Sequence, residues 1–146
     1  MYSTILHLHN GLRWLILLSG VWCLFLLYSA LIKTPANRAA ARRSLLIYTI
    51  TLDLQLLVGL TIYFFFSSET KVAFADLAAA MKNHETRQFA VEHPLMMILA
   101  IVLAHIANVI FKRSATDSTR YRRTALYVTS SLLLILLAVP WQRAFF

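Results

Sequence analysis

Long apolar stretches alternate with short charged ones along the chain, and residues 12–32, 44–66, 94–111 and 124–141 are built predominantly from aliphatic and aromatic side chains. Each is close to the roughly 20 residues that an α-helix needs to cross a hydrocarbon core about 30 Å thick. None shows the strict in-out alternation of a membrane β-strand, and within lipid only a helix or a closed barrel satisfies its own backbone. The pattern predicts an all-α integral membrane protein. It forms one domain over residues 1–146, an up-down-up-down bundle of four transmembrane helices.

Between the second and third runs lies a longer polar connection, "KVAFADLAAAMKNHETRQFAVE", with apolar residues at Phe74, Leu77 and Met81. That spacing fits an amphipathic helix lying on the membrane surface, or else a polar tether with some helicity. The first run is followed by "YSA", as a cleaved leader would be. Because no Lys or Arg precedes Arg13 and the run is long, it reads as a retained helix.

Composition strengthens the membrane reading, since 60% of the residues are hydrophobic and mean hydropathy is +0.68. The net charge of +8 is not spread as a nucleic-acid interface would spread it. It sits in two short loops, with Lys33, Arg38, Arg42 and Arg43 in the first and Lys112, Arg113, Arg120, Arg122 and Arg123 in the third. The positive-inside rule then puts those loops in the cytoplasm and both termini outside. The basic clusters also suit anionic lipid headgroups. A lone cysteine, Cys23, excludes an intrachain disulfide.

Such a topology brings the start of the first run, "LHLHNGLRW", to the same side as the start of the third, "VEHPLMM". Residues two apart on a helix face nearly opposite ways, so His7 and His9 cannot both look inward. From His9 the steps of three and four meet Arg13, Ile16, Gly20, Cys23 and Leu27; from His93 they meet Met97, Ala100, Ala104, Ala107 and Phe111. Small residues on membrane helices mark close packing, so both stripes are expected to face the bundle interior. Pro94 suits a first helical turn, which places His93 near the N-cap.

Two inward imidazoles at matched depth on facing helices are what axial haem ligation requires. Arg13, one turn deeper than His9, is placed to pair with a haem propionate or with Glu92, and Glu92 could orient the His9 ring. Histidine and arginine at a boundary also occur as plain interfacial residues, as Tyr2, Trp14 and Trp141 do.

Deeper in the membrane, Asp53 and His105 fall at similar depth, and Asn108 lies one turn from His105. A buried polar latch between the second and third helices is the simplest reading, with a proton or ligand role as the alternative. Asp53, Leu57, Leu60 and Phe64 share one face of the second helix, whereas Thr51, Gln55, Gly59 and Ile62 share nearly the opposite one. One face must therefore meet a neighbouring helix or a second polypeptide, which points to a homo-oligomer or larger complex. His7, His9, His84, His93, Met96 and Met97 form a weaker candidate set for copper. No Ser/His/Asp array, phosphate loop or zinc spacing is present, so nothing in the sequence points to hydrolysis.

The segments "LHLHNGLRWLILL", "LDLQLLVGLTIYF", "VEHPLMMILAIVLAHI" and "LLLILLAVPW", in this order, resemble a family of small bacterial four-helix membrane proteins usually labelled cytochrome b-like. The resemblance covers nearly the whole chain. It implies a bacterial inner-membrane protein with haem b, and it marks His9, Arg13, Trp14, Gln55, Gly59, Glu92 and His93. Asp53 departs from the family pattern, which has histidine two residues before the helix 2 glutamine. The resulting expectation is a redox carrier rather than a stand-alone enzyme, with His9 and His93 as iron ligands and a quinone beside Arg13 or Asp53 as a candidate partner. A cofactor-free accessory subunit and a copper-handling protein are the alternatives.

Overall fold

The structure is a computed structural model and describes residues 2–32 and 37–141. Lys33 of the first basic loop lies outside the described residues. The described chain is all-α: α1 (Tyr2–Ile32), α2 (Arg38–Thr61), a π-helical turn (Ile62–Phe66), three short helices α3 (Ser68–Ala75), α4 (Leu77–Lys82) and α5 (His84–Arg87), a second π-helical turn (Gln88–Glu92), then α6 (His93–Arg113) and α7 (Asp117–Ala138).

The four long helices pack as a ring. α1 lies against α2 and α7, and α6 lies against α7 and α2, so α1 and α6 stand on one diagonal. Their buried faces are the stripes expected from sequence: Arg13, Ile16, Gly20, Cys23 and Leu27 on α1, and Met97, Ala100, Ile101, Ala104, Ala107 and Phe111 on α6. At Gly20 an added Cβ would lie 2.9 Å from both Leu132 and Tyr48, so only glycine lets these side chains close over α1. Across the other diagonal, the Tyr48 hydroxyl meets Ser131 Oγ at 2.8 Å, and Ser131 donates to the Ala100 carbonyl at 2.7 Å. Since a carbonyl only accepts, the Ser131 proton is committed there and Tyr48 must be the donor to Ser131. This relay ties α2, α7 and α6 together.

Three helical stretches, Tyr2–Ile32, Arg38–Phe66 and His84–Arg113, are long and apolar enough to cross a membrane. The expected fourth span is less clear-cut. α7 opens with Asp117, Arg120, Arg122 and Arg123 and ends at Ala138, so its apolar part is about 15 residues long, or roughly 22 Å at helical rise. Arg120 is buried at the entry to this helix. Its Nε donates to the Phe111 carbonyl at 3.0 Å and its other nitrogens reach the Ser114 carbonyl and Asp117, capping the end of α6. Read from sequence as one charge in a basic loop, Arg120 instead organises the α6–α7 turn.

The other boundaries also move. α1 begins at Tyr2 rather than residue 12, which puts His7 and His9 within the helix, and α2 begins at Arg38, where Asn37 accepts from the Ala40 N–H. The single surface helix expected in the long connection is three short ones. Ser67, Asp76 and Asn83 each accept a hydrogen bond from the N–H three residues on, and each restarts the helix in a new direction. Ala73, Ala80 and Ala90 form a small cluster beneath this cap, while Val72, Phe74, Leu77 and Met81 are exposed on it.

Pro94 accounts for a local detail at the start of α6. It has no N–H to give the Ala90 carbonyl four residues back, and that carbonyl accepts instead from the Tyr63 hydroxyl at 2.9 Å. The two π-helical turns are thereby joined. His93 is the first residue of α6, as the proline predicts, but it continues a helical path rather than starting one.

Candidate functional site

A cavity of about 660 Å³ opens among α1, α2, α6, α7 and the cap, within the roughly 300–1,000 Å³ usual for small-molecule sites. Its walls are largely aliphatic and aromatic. The polar groups that converge on it include His9, Asn10, Arg13, Gln55, Thr70 and His93.

His9 and His93 meet across the α1–α6 diagonal, with ring centres 6.3 Å apart and planes inclined at 65°. His93 Nδ1 lies 2.9 Å from the Ala138 carbonyl. That oxygen can only accept, so Nδ1 carries the proton and Nε2 carries the lone pair. On the opposite side, Gln55 donates to the His9 carbonyl at 3.0 Å, and Gly59 brings α2 close to the Cε1–Nδ1 edge of the ring. A Cβ at position 59 would lie 3.4 Å from His9 Cε1, already at contact. Gln55 and Gly59 are one helical turn apart, and together they seat His9.

Polar atoms on this wall lack partners. His9 Nδ1, Gln55 Oε1 and Thr70 Oγ1 are each buried without a hydrogen bond among the described residues, and all three residues line the cavity. Buried polar groups are normally satisfied by protein or by water, so these atoms make the wall the candidate binding surface. Arg13, buried one turn below His9, adds a guanidinium to the wall and stacks 5.7 Å above the Trp14 ring.

Not every expected residue reaches the cavity. Glu92 does not line the cavity, and its Oε1 accepts from Arg87 Nε at 2.7 Å. Arg87 in turn donates to the Met81 carbonyl, so this ion pair fastens the cap rather than the site. His7 and His84 are exposed and do not line the cavity, and of the candidate copper set only His9, His93 and Met97 do. Among the described residues no three His, Cys, Asp or Glu side chains gather as a metal cluster.

The deeper polar set divides as well. His105 Nε2 and Asp53 Oδ1 are 3.0 Å apart, as their matched depth predicts. They sit on the outside of the bundle rather than within it, with side chains 54% and 45% exposed. Asn108 does not join them. It donates to Thr49 Oγ1 at 2.6 Å and to the Ala104 carbonyl at 3.1 Å, making a separate bond between α6 and α2. Of the two polar faces of α2, Gln55 is buried and Asp53 is turned outward.

His9 and His93 are the two imidazoles on this wall that could hold a metal-centred cofactor, with ring centres 6.3 Å apart. The fold and site thus define a helical bundle of membrane-protein character with a paired-histidine cavity at one end. The chain matches no family model, no curated protein and no solved structure.

Proposed function

We propose that the protein is a haem b-binding electron carrier of the bacterial inner membrane, in which His9 and His93, near the outer face, would hold the haem iron. The carrying observation is the His9–His93 pairing at 6.3 Å on a cavity wall that also holds unsatisfied buried polar atoms. The resemblance to the cytochrome b-like family, borne by "LHLHNGLRW" and "VEHPLMM", supports the same reading.

In this reading α7 crosses the membrane as the fourth helix. Its short apolar part is offset by tight packing against α1 and α6, and its arginines lie at the cytoplasmic headgroups. Haem supplies one-electron redox chemistry. The chain supplies the rest: His93 presents Nε2 because Ala138 holds its Nδ1 proton, and Gln55 and Gly59 fix the approach of His9. Arg13 offers positive charge to an acidic substituent, and the apolar wall excludes water. The exposed apolar residues of the cap rest on the outer lipid surface.

Absorption spectra of the purified protein, oxidised and dithionite-reduced, test this. A Soret band with sharpened α and β bands is expected, lost in His93→Ala and kept in His105→Ala. A colourless preparation from haem-replete cells overturns the reading and favours a cofactor-free accessory subunit.

A further inference from the structure

The Asp53–His105 pair cannot be accounted for as a buried latch. Asp53 lies 13 residues from Phe66 within the stretch Arg38–Phe66, so the pair falls near the middle of a span, roughly 20 Å from its outer end. Both side chains are about half exposed there, between large exposed apolar residues: Ile50 and Leu57 on α2, Val102 and Val109 on α6. In a bilayer this is an ionisable pair turned toward lipid tails, where such groups are costly and almost always find protein or water.

The unused atoms of the pair indicate what covers it. His105 Nε2 and Asp53 Oδ1 are engaged with each other, whereas His105 Nδ1 and Asp53 Oδ2 make no hydrogen bond among the described residues. These are two unused polar atoms, at the same depth on neighbouring helices. A two-fold axis along the membrane normal brings such a patch against itself, so that the unused atom of each histidine meets the unused carboxyl oxygen of the other copy. Each unused polar atom of the pair then has a partner, and the surrounding aliphatic residues pack across the axis. Neither residue lines the cavity at His9 and His93.

We propose that the α2–α6 face is the interface of a symmetric dimer, in which Asp53 and His105 pair reciprocally with a second copy of this chain within the membrane.

The test uses the full chain in phosphatidylcholine vesicles and does not depend on haem content. Leu57→Cys and Val102→Cys each lie about one turn from the pair and leave it intact. A short thiol-to-thiol crosslinker is expected to convert these variants largely to covalent dimers, while Val21→Cys, on the outer face of α1, and the wild type with its buried Cys23 remain monomers. The double change Asp53→Leu with His105→Leu, added to Leu57→Cys, should abolish crosslinking while circular dichroism stays helical. Absence of dimer with both cysteine variants overturns the proposal, as does undiminished crosslinking after the double change. A chain that stays monomeric and binds a short-chain quinol through Asp53 and His105 overturns it in favour of a small-molecule site.

Discussion

His93 Nδ1 and the Ala138 carbonyl, 2.9 Å apart, join the first residue of α6 to the last residue of α7. The bond does two jobs, since it caps a carbonyl that α7 leaves unpaired at its C-terminus and settles which imidazole nitrogen is free. In ligand-free protein the His93 ring is therefore expected as the Nδ1–H tautomer. Nitrogen-15 NMR of labelled histidine reads this directly, and an Nε2–H tautomer would contradict the assignment of Nε2 as the ligand atom.

Gly59 should show a size threshold. A methyl at this position only touches the His9 ring, at 3.4 Å, so Gly59→Ala should retain cofactor. Gly59→Leu must push the ring toward the cavity or push α2 away from α1. Haem content of the purified variants is the measurement, and near-equal loss in both would show that His9 is not held by this contact.

The Tyr48–Ser131–Ala100 relay predicts an asymmetry. Tyr48→Phe removes one hydrogen bond but leaves Ser131 donating to Ala100, for about 1 kcal/mol. Ser131→Ala strands the tyrosine hydroxyl in the core, and an unsatisfied buried group costs about 1–3 kcal/mol. Thermal unfolding in one detergent should rank Ser131→Ala below Tyr48→Phe, although the serine is the smaller residue.

Arg120 should behave as a core residue despite its charge. Its guanidinium serves the carbonyls of Phe111 and Ser114, so Arg120→Ala is expected to cost about 2–3 kcal/mol. Arg122→Ala and Arg123→Ala, at exposed neighbours, should change stability little. Hydrogen exchange at residues 111–116 in the Arg120 variant would rise if this cap holds the turn.

How much of this was legible in the sequence differs by the kind of signal. The stripes from His9 through Gly20 and from His93 through Ala107 depend only on helical periodicity and on small residues needing close neighbours, and the structure buries both. Matched depth likewise located the Asp53–His105 contact. Partner choice was not readable, because it turns on residues distant in sequence. Arg87 captures Glu92 only because two π-helical turns bring the cap back over the helix, and Thr49 captures Asn108 because α2 is rotated to turn Asp53 outward. The seat of His9 was partly visible: Gln55 and Gly59 stood on one face of α2, opposite Asp53, but nothing local told which ring they would meet. The polar opening of α7 was read as a loop, since the burial of Arg120 is set by carbonyls at the end of another helix.

Each histidine is tied to a neighbouring helix through one main-chain carbonyl. Gln55 grips α1 at the His9 carbonyl, and His93 grips α7 at Ala138. Their spacing is consequently inherited from where the helices cross. Were the proposed haem held there, a centre anchored through the helix backbones would shift little when its charge changes, and its reorganisation energy would be small.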